Sequence, residues 1–99
     1  MQMIYFFVNI GNIEIANLQQ ALPKDCFCLF QLQPSSTRYY GMIKKGCMPQ
    51  FEKSLTPETA SYLEYVDEDV FKLFFLQNYG DSITCIGNRR LLMYLSDER

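Results

Sequence analysis

Two neighbouring stretches, Thr56-Pro57-Glu58 and the apolar run from Val70 to Leu76, constrain this chain more than any other part of it. A threonine hydroxyl can cap a helix, proline has the φ favoured at the first helical position, and a glutamate there complements the positive end of the helix dipole. The spacing predicts a helix from Thr56, with Ala60, Leu63 and Val66 as a buried stripe and Glu58, Tyr62, Tyr65 and Asp69 on an acidic, aromatic face. Asp67 or Asp69 caps a second expected helix through Val70, Phe71, Leu73, Phe74, Phe75 and Leu76, closing at Gly80, where glycine suits a left-handed position. Only Lys72, Gln77 and Asn78 are polar inside it, so it is either sandwiched in the core or keeps one face for another chain, and at least one of Phe74 and Phe75 is buried.

The rest of the chain supplies a sheet for these helices. Met3 to Ile10 is rich in β-branched and aromatic residues and reads as a strand. Ile15, Leu18 and Leu22 share a helical face, which predicts a helix from about Ile13 to Leu22 capped by Asn12 and ended by Pro23. Asp25 to Gln33 alternates as a second strand, Pro34-Ser-Ser-Thr37 has turn chemistry, and Arg38 to Lys44 is the expected hairpin partner. Cys47 to Lys53, with Pro49, reads as a connector or short edge strand. Gly87-Asn88 between Asp81–Ile86 and Arg90–Leu95 is the strongest hairpin signal, because glycine tolerates positive φ, and Ser96 to Arg99 is a polar tail. The order β-α-β-β-α-α-β-β predicts a single α+β domain, a mixed or antiparallel sheet of about four or five strands with helices on one face.

At 99 residues the chain affords one modest core. Near-half apolar content and a mean hydropathy of -0.10 exclude disorder or a membrane span by composition. Met3 to Val8 has no basic region before it and ends at Asn9, unlike a secretory signal, so a cytoplasmic location is expected. Cys26 and Cys28 are two apart in a strand, Cys47 and Cys85 are distant, and the chain has no histidine. That spacing disfavours a structural zinc site, and four reduced thiols are expected.

Chemistry is read mainly from what the sequence omits. Without histidine, the usual neutral-pH base and zinc ligand are missing, and no G-x-S-x-G, phosphate-loop or dinucleotide fingerprint occurs. No enzyme activity, cofactor or metal is expected; Glu64, Asp67, Glu68 and Asp69 diverge on a helix and lack an EF-hand loop. Between Ser54 and Phe71, by contrast, stand five acids and no base, although the whole chain has 9 Lys+Arg against 11 Asp+Glu. That run is either a solvated helix end or a docking surface for a basic partner, formed by Glu58, Tyr62, Glu64, Tyr65, Asp67, Glu68 and Asp69.

The expected function is therefore a small acidic interaction protein of the inhibitor or immunity type, neutralising a basic partner such as a nuclease toxin. Two alternatives stand beside it. One is a homodimeric assembly or adaptor subunit that pairs through the Val70 to Leu76 helix or an edge strand. The other is a single-stranded nucleic-acid binder or histidine-free ribonuclease using Arg38, Lys44 and Lys45 with Tyr39 and Tyr40, then Lys53 and Arg89-Arg90. A sequence pI near 5.0 disfavours nucleic acid.

Overall fold

A computed structural model describes residues 2–78 and 83–95. The element order is β1 (Met3–Asn9), α1 (Asn12–Ala21), β2 (Phe27–Gln31), β3 (Arg38–Lys44), α2 (Met48–Lys53), α3 (Pro57–Ala60), β4 (Glu64–Val66), α4 (Glu68–Asn78) and β5 (Thr84–Gly87). Short 3-10 turns at Lys24–Cys26 and Lys45–Cys47 flank the β2–β3 pair, and a longer one covers Arg89–Tyr94. The protein is an α+β fold with one five-stranded antiparallel sheet in the order β4-β1-β3-β2-β5.

Alternation along β1 divides the core in two. Phe6 and Val8 point to the face covered by α1 and α2, where they meet Ile15, Leu18, Phe27, Leu29, Ile43 and Phe51. Gly41 lies opposite Phe6 because a Cβ there would run into the Phe6 ring and Leu29. Tyr5 points the other way, to Cys28, Phe30, Met42, Phe71, Phe75 and the Leu91, Leu92 and Leu95 side chains. Helices thus cover both faces rather than the one expected. Phe71 and Phe75, four residues apart, place α4 under the second face.

The expected helix from Thr56 begins as read but lasts a single turn. The Thr56 hydroxyl accepts the Thr59 N–H at 3.2 Å, and the Glu14 carboxylate of α1 accepts from the Thr56 N–H at 2.8 Å and the Thr59 hydroxyl at 2.7 Å. Ser61 then bonds back to Glu58, and the chain enters β4. Pairing Glu64, Tyr65 and Val66 with Phe7, Phe6 and Tyr5 gives β1 a neighbour on its open side, so period two replaces the predicted helical stripe. Ala60 is exposed, while Leu63 and Val66 are half-buried against opposite faces.

Three further expectations are corrected. Cys47 to Lys53 is largely helical: Pro49 occupies the first turn, where its missing N–H costs nothing, and Met48 and Phe51 are buried three residues apart. Gly87 does adopt φ +94, with its missing Cβ making room for the Phe27 carbonyl oxygen, but no return strand follows among the described residues. Asn88 caps a 3-10 helix through the Arg90 N–H at 3.0 Å, and its helical spacing buries Leu91, Leu92 and Leu95. The helix cap expected of Asn12 falls to Gly11, with no side-chain cap bond. Gly80, Asp81 and the Ser96–Arg99 tail lie outside the described residues.

The four-thiol expectation also gives way. Cys28 and Cys85 form a disulfide across β2 and β5, with Cα atoms 6.2 Å apart. Their residues are diagonal in the register, Cys28 opposite Gly87 and Cys85 opposite Phe30, and Gly87 presents no side chain between them. Sequence spacing conceals a partnership that only the sheet creates. Cys26 and Cys47 are free; burial, followed by a hydrogen bond with Cys47, pushes the Cys26 thiol up to about 12.

Candidate functional site

At Glu68 the chain leaves the sheet for α4, so β4 stops level with Tyr5 while β1 extends two residues further, to Met3. A groove of about 920 Å³ opens there. It is lined by Met3, Ile4, Met48 and Val66, by Glu52, Asp67 and Glu68, by the side chains of Tyr5, Tyr65 and Tyr94, and by Lys45. Apolar side chains and carboxylates in one lining together suit a side chain with a long aliphatic stem and a cationic head.

The phenols of Tyr5 and Tyr65 are held as neutral groups. Burial first, and the nearby Glu68 charge second, push Tyr5 up to about 12. Tyr65 is likewise pushed up to about 12, by burial and then by the hydrogen bond and charge of Glu52, whose carboxylate accepts from its hydroxyl. Neither phenol is a base near neutral pH, and the bond fixes Tyr65 and Glu52 as one unit of the groove lining. Among the described residues, no group of three or more His, Cys, Asp or Glu side chains could hold a metal ion.

The structure divides the sequence-predicted residues. Tyr65, Asp67 and Glu68 line the groove. Glu64 sits on β4 beside it, on the second face, with the Arg38 guanidinium 3.8 Å away. Asp69 is exposed in the first turn of α4. Glu58 is exposed on α3 and Tyr62 is half exposed in the turn after it, so neither belongs to the groove. The single helical face expected for these residues does not form, because the helix meant to carry them ends at Ala60. Sequence reasoning missed Glu52, Tyr5 and Tyr94. Glu52 was legible only if Pro49 had been taken as a helix start, and Tyr5 joins the site through strand pairing.

The cations considered for nucleic acid do not converge. Arg38 and Lys44 occupy opposite ends of β3, about 20 Å apart at the usual rise per residue. Arg38 lies over the Phe7 and Tyr40 rings at 5.2 and 5.8 Å, and Lys44 pairs with Asp25 at 3.8 Å. Tyr39 is buried in the first face, whereas Tyr40 belongs to the second. On α4, by contrast, Val70, Leu73 and Leu76 recur at three-residue spacing and are 52%, 62% and 47% exposed. No described helix is long and apolar enough to cross a membrane.

No family model matches the chain, and neither curated proteins nor solved structures show a significant match to it.

Proposed function

We propose that this chain is a non-enzymatic interaction protein whose acidic sheet edge binds a basic protein, in the manner of an inhibitor or immunity protein that neutralises a nuclease toxin. One observation carries the reading: three carboxylates, Glu52, Asp67 and Glu68, line one groove with apolar side chains and a single cation, Lys45, and Glu64 and Asp69 are exposed next to them in the chain. Gathered carboxylates create a local negative potential that steers a cationic partner, and a nuclease active site built to attract phosphate presents such a charge. Tyr65 and Tyr94, each about half exposed, supply the aromatic contact area that anchors interfaces.

Affinity capture from the source cells followed by mass spectrometry identifies the partner, and variants then locate its footprint. Glu64→Lys with Asp69→Lys slows association with folding intact, and Tyr65→Ala hastens dissociation. Charge reversals that leave binding untouched, together with loss of binding on substituting Arg38 and Lys44, would move the functional surface to β3 and overturn the proposal.

A second reading, self-association through α4, is favoured by the exposed Val70, Leu73 and Leu76 stripe. Sedimentation of the purified protein tests it: a concentration-independent monomer eliminates it, and a dimer lost in Leu73→Glu supports it.

A further inference from the structure

Hydrogen-bond parity in the sheet assigns the outer edge of β4 a definite role. In an antiparallel pair, directly opposed residues alternate between exchanging both backbone bonds and exchanging none, so successive residues turn their N–H and C=O groups to opposite edges. The Ile10 N–H donates to the Thr37 carbonyl at 2.9 Å, and the Gln2 carbonyl accepts from the Lys45 N–H at 3.0 Å, both on the β3 side. Even-numbered residues of β1 therefore face β3, and Tyr5 and Phe7 face β4. Their partners are Val66 and Glu64, whose backbone groups are thus turned inward. Tyr65, between them, turns its N–H and C=O outward, on a strand with no other beyond it in the sheet among the described residues.

We propose that an extended, basic protein segment adds as a sixth strand along β4, pairing with the Tyr65 backbone and setting its cationic side chains against the carboxylates on either side of the sheet. The proposal rests on the reading of this edge as the surface for a basic partner, and it specifies how the partner is held. Side chains of an added strand alternate between the two faces. On the first face they meet Glu52, which is bonded to the Tyr65 side chain, and on the second they meet Glu64. Charge also decides against a second copy of the chain as the occupant. Two β4 strands paired antiparallel about Tyr65 would set Glu64 opposite Val66 and diagonal to the Glu64 of the other copy, so a second copy would bring no cation to these carboxylates and would add its own acids to an acidic edge.

The test uses the full chain and a capped hexapeptide with two adjacent arginines between pairs of valines, so that one arginine falls on each face of the sheet, with a fully backbone-N-methylated version as control, followed by amide hydrogen exchange and NMR titration. In the free protein, the Tyr65 amide exchanges faster than those of Glu64 and Val66. At saturating peptide, its exchange slows by about tenfold or more, and N-methylation weakens binding by at least about tenfold, because only the unmethylated backbone can pair. Equal affinity of the two peptides with unchanged Tyr65 exchange, in a complex still weakened by Glu64→Lys, overturns strand addition and leaves the acidic-surface reading standing. No binding at millimolar peptide overturns both. Protection of Tyr65 by concentrating the protein alone would give the edge to a second copy and overturn the proposal.

Discussion

The two edges of the sheet are built to different standards. β5 is joined to β2 by the Cys28–Cys85 disulfide, and Gly87 lies tight against the Phe27 carbonyl; the chain then turns under the second face to bury Leu91, Leu92 and Leu95. β4 is three residues long and held by its pairing with β1, half-buried Val66, the Tyr65–Glu52 hydrogen bond and the Arg38–Glu64 ion pair. Exposed ion pairs of that kind contribute about 0–1 kcal/mol. One edge is closed by covalent and packing constraints, while the other is lightly attached, acidic and beside a groove. Recognition surfaces are commonly drawn from the less stable parts of a fold, which supports the proposal that β4 is the binding edge.

The largest expected effect lies under the closed side. Phe75 is 2% exposed and meets Phe30 edge-on at 5.8 Å, so Phe75→Ala should cost about 3–5 kcal/mol in denaturant unfolding. Half-buried Phe74 should cost clearly less when replaced by alanine. An equal loss at the two positions would show that α4 is rotated from its described face. Next is Gly87→Ala, which combines a left-handed φ with a clash at Phe27 and should cost about 2–4 kcal/mol. Near-neutrality there would remove the contrast between the edges.

A smaller effect is expected where Glu14 fastens the segment leading into β4. Glu14→Gln should cost about 1 kcal/mol by weakening the cap on Thr56 and Thr59. Burial alone would raise the Glu14 pKa, but hydrogen bonds from the Thr56 N–H, the Thr59 and Thr56 hydroxyls and the Gly11 backbone hold it below the ordinary carboxylate range. Its contribution is therefore complete above the unfolded-state pKa of about 4.3 and disappears as pH falls through the lower folded value. Unfolding midpoints measured between neutral and acidic pH should converge for wild type and Glu14→Gln at the acid end, and parallel curves would contradict the assignment.

The smallest effect is Tyr65→Phe, which removes the hydroxyl that donates to Glu52. The folded-state pKa of Tyr65 is raised to about 12, so the bond's contribution is present below the ordinary tyrosine value and is lost as pH rises through about 12. Wild type should accordingly lose its small advantage over Tyr65→Phe only in strong base. An advantage that persists there would locate the stabilisation elsewhere in the ring's packing.

Where periodicity and punctuation agreed, the fold was legible: β1, α1, β3 and the Phe71–Phe75 helix fall close to their expected places. Elsewhere, long-range pairing outweighed the local signal. Leu63-Glu-Tyr-Val66 fits either a helical stripe or a strand, and only the open side of β1 selects the strand. Arg90 to Leu95 is apolar without alternation, which leaves its period undetermined until the second face needs covering. The acidic character of the site was visible in Asp67 and Glu68, but its geometry was not. Glu52 and Tyr5 reach the groove through a helix and a strand register that bring distant residues together.

The most direct measurement is the association rate of the captured basic partner as a function of ionic strength, for wild type and for Asp67→Lys with Glu68→Lys, two groove-lining residues that need no ordered partner to act through charge. The account predicts a wild-type rate that falls steeply as salt shortens the screening length to about 8–10 Å, and a variant about tenfold slower at low salt with a much flatter dependence. Identical rates with identical salt dependence would contradict the claim that the acidic edge at β4 receives a basic partner.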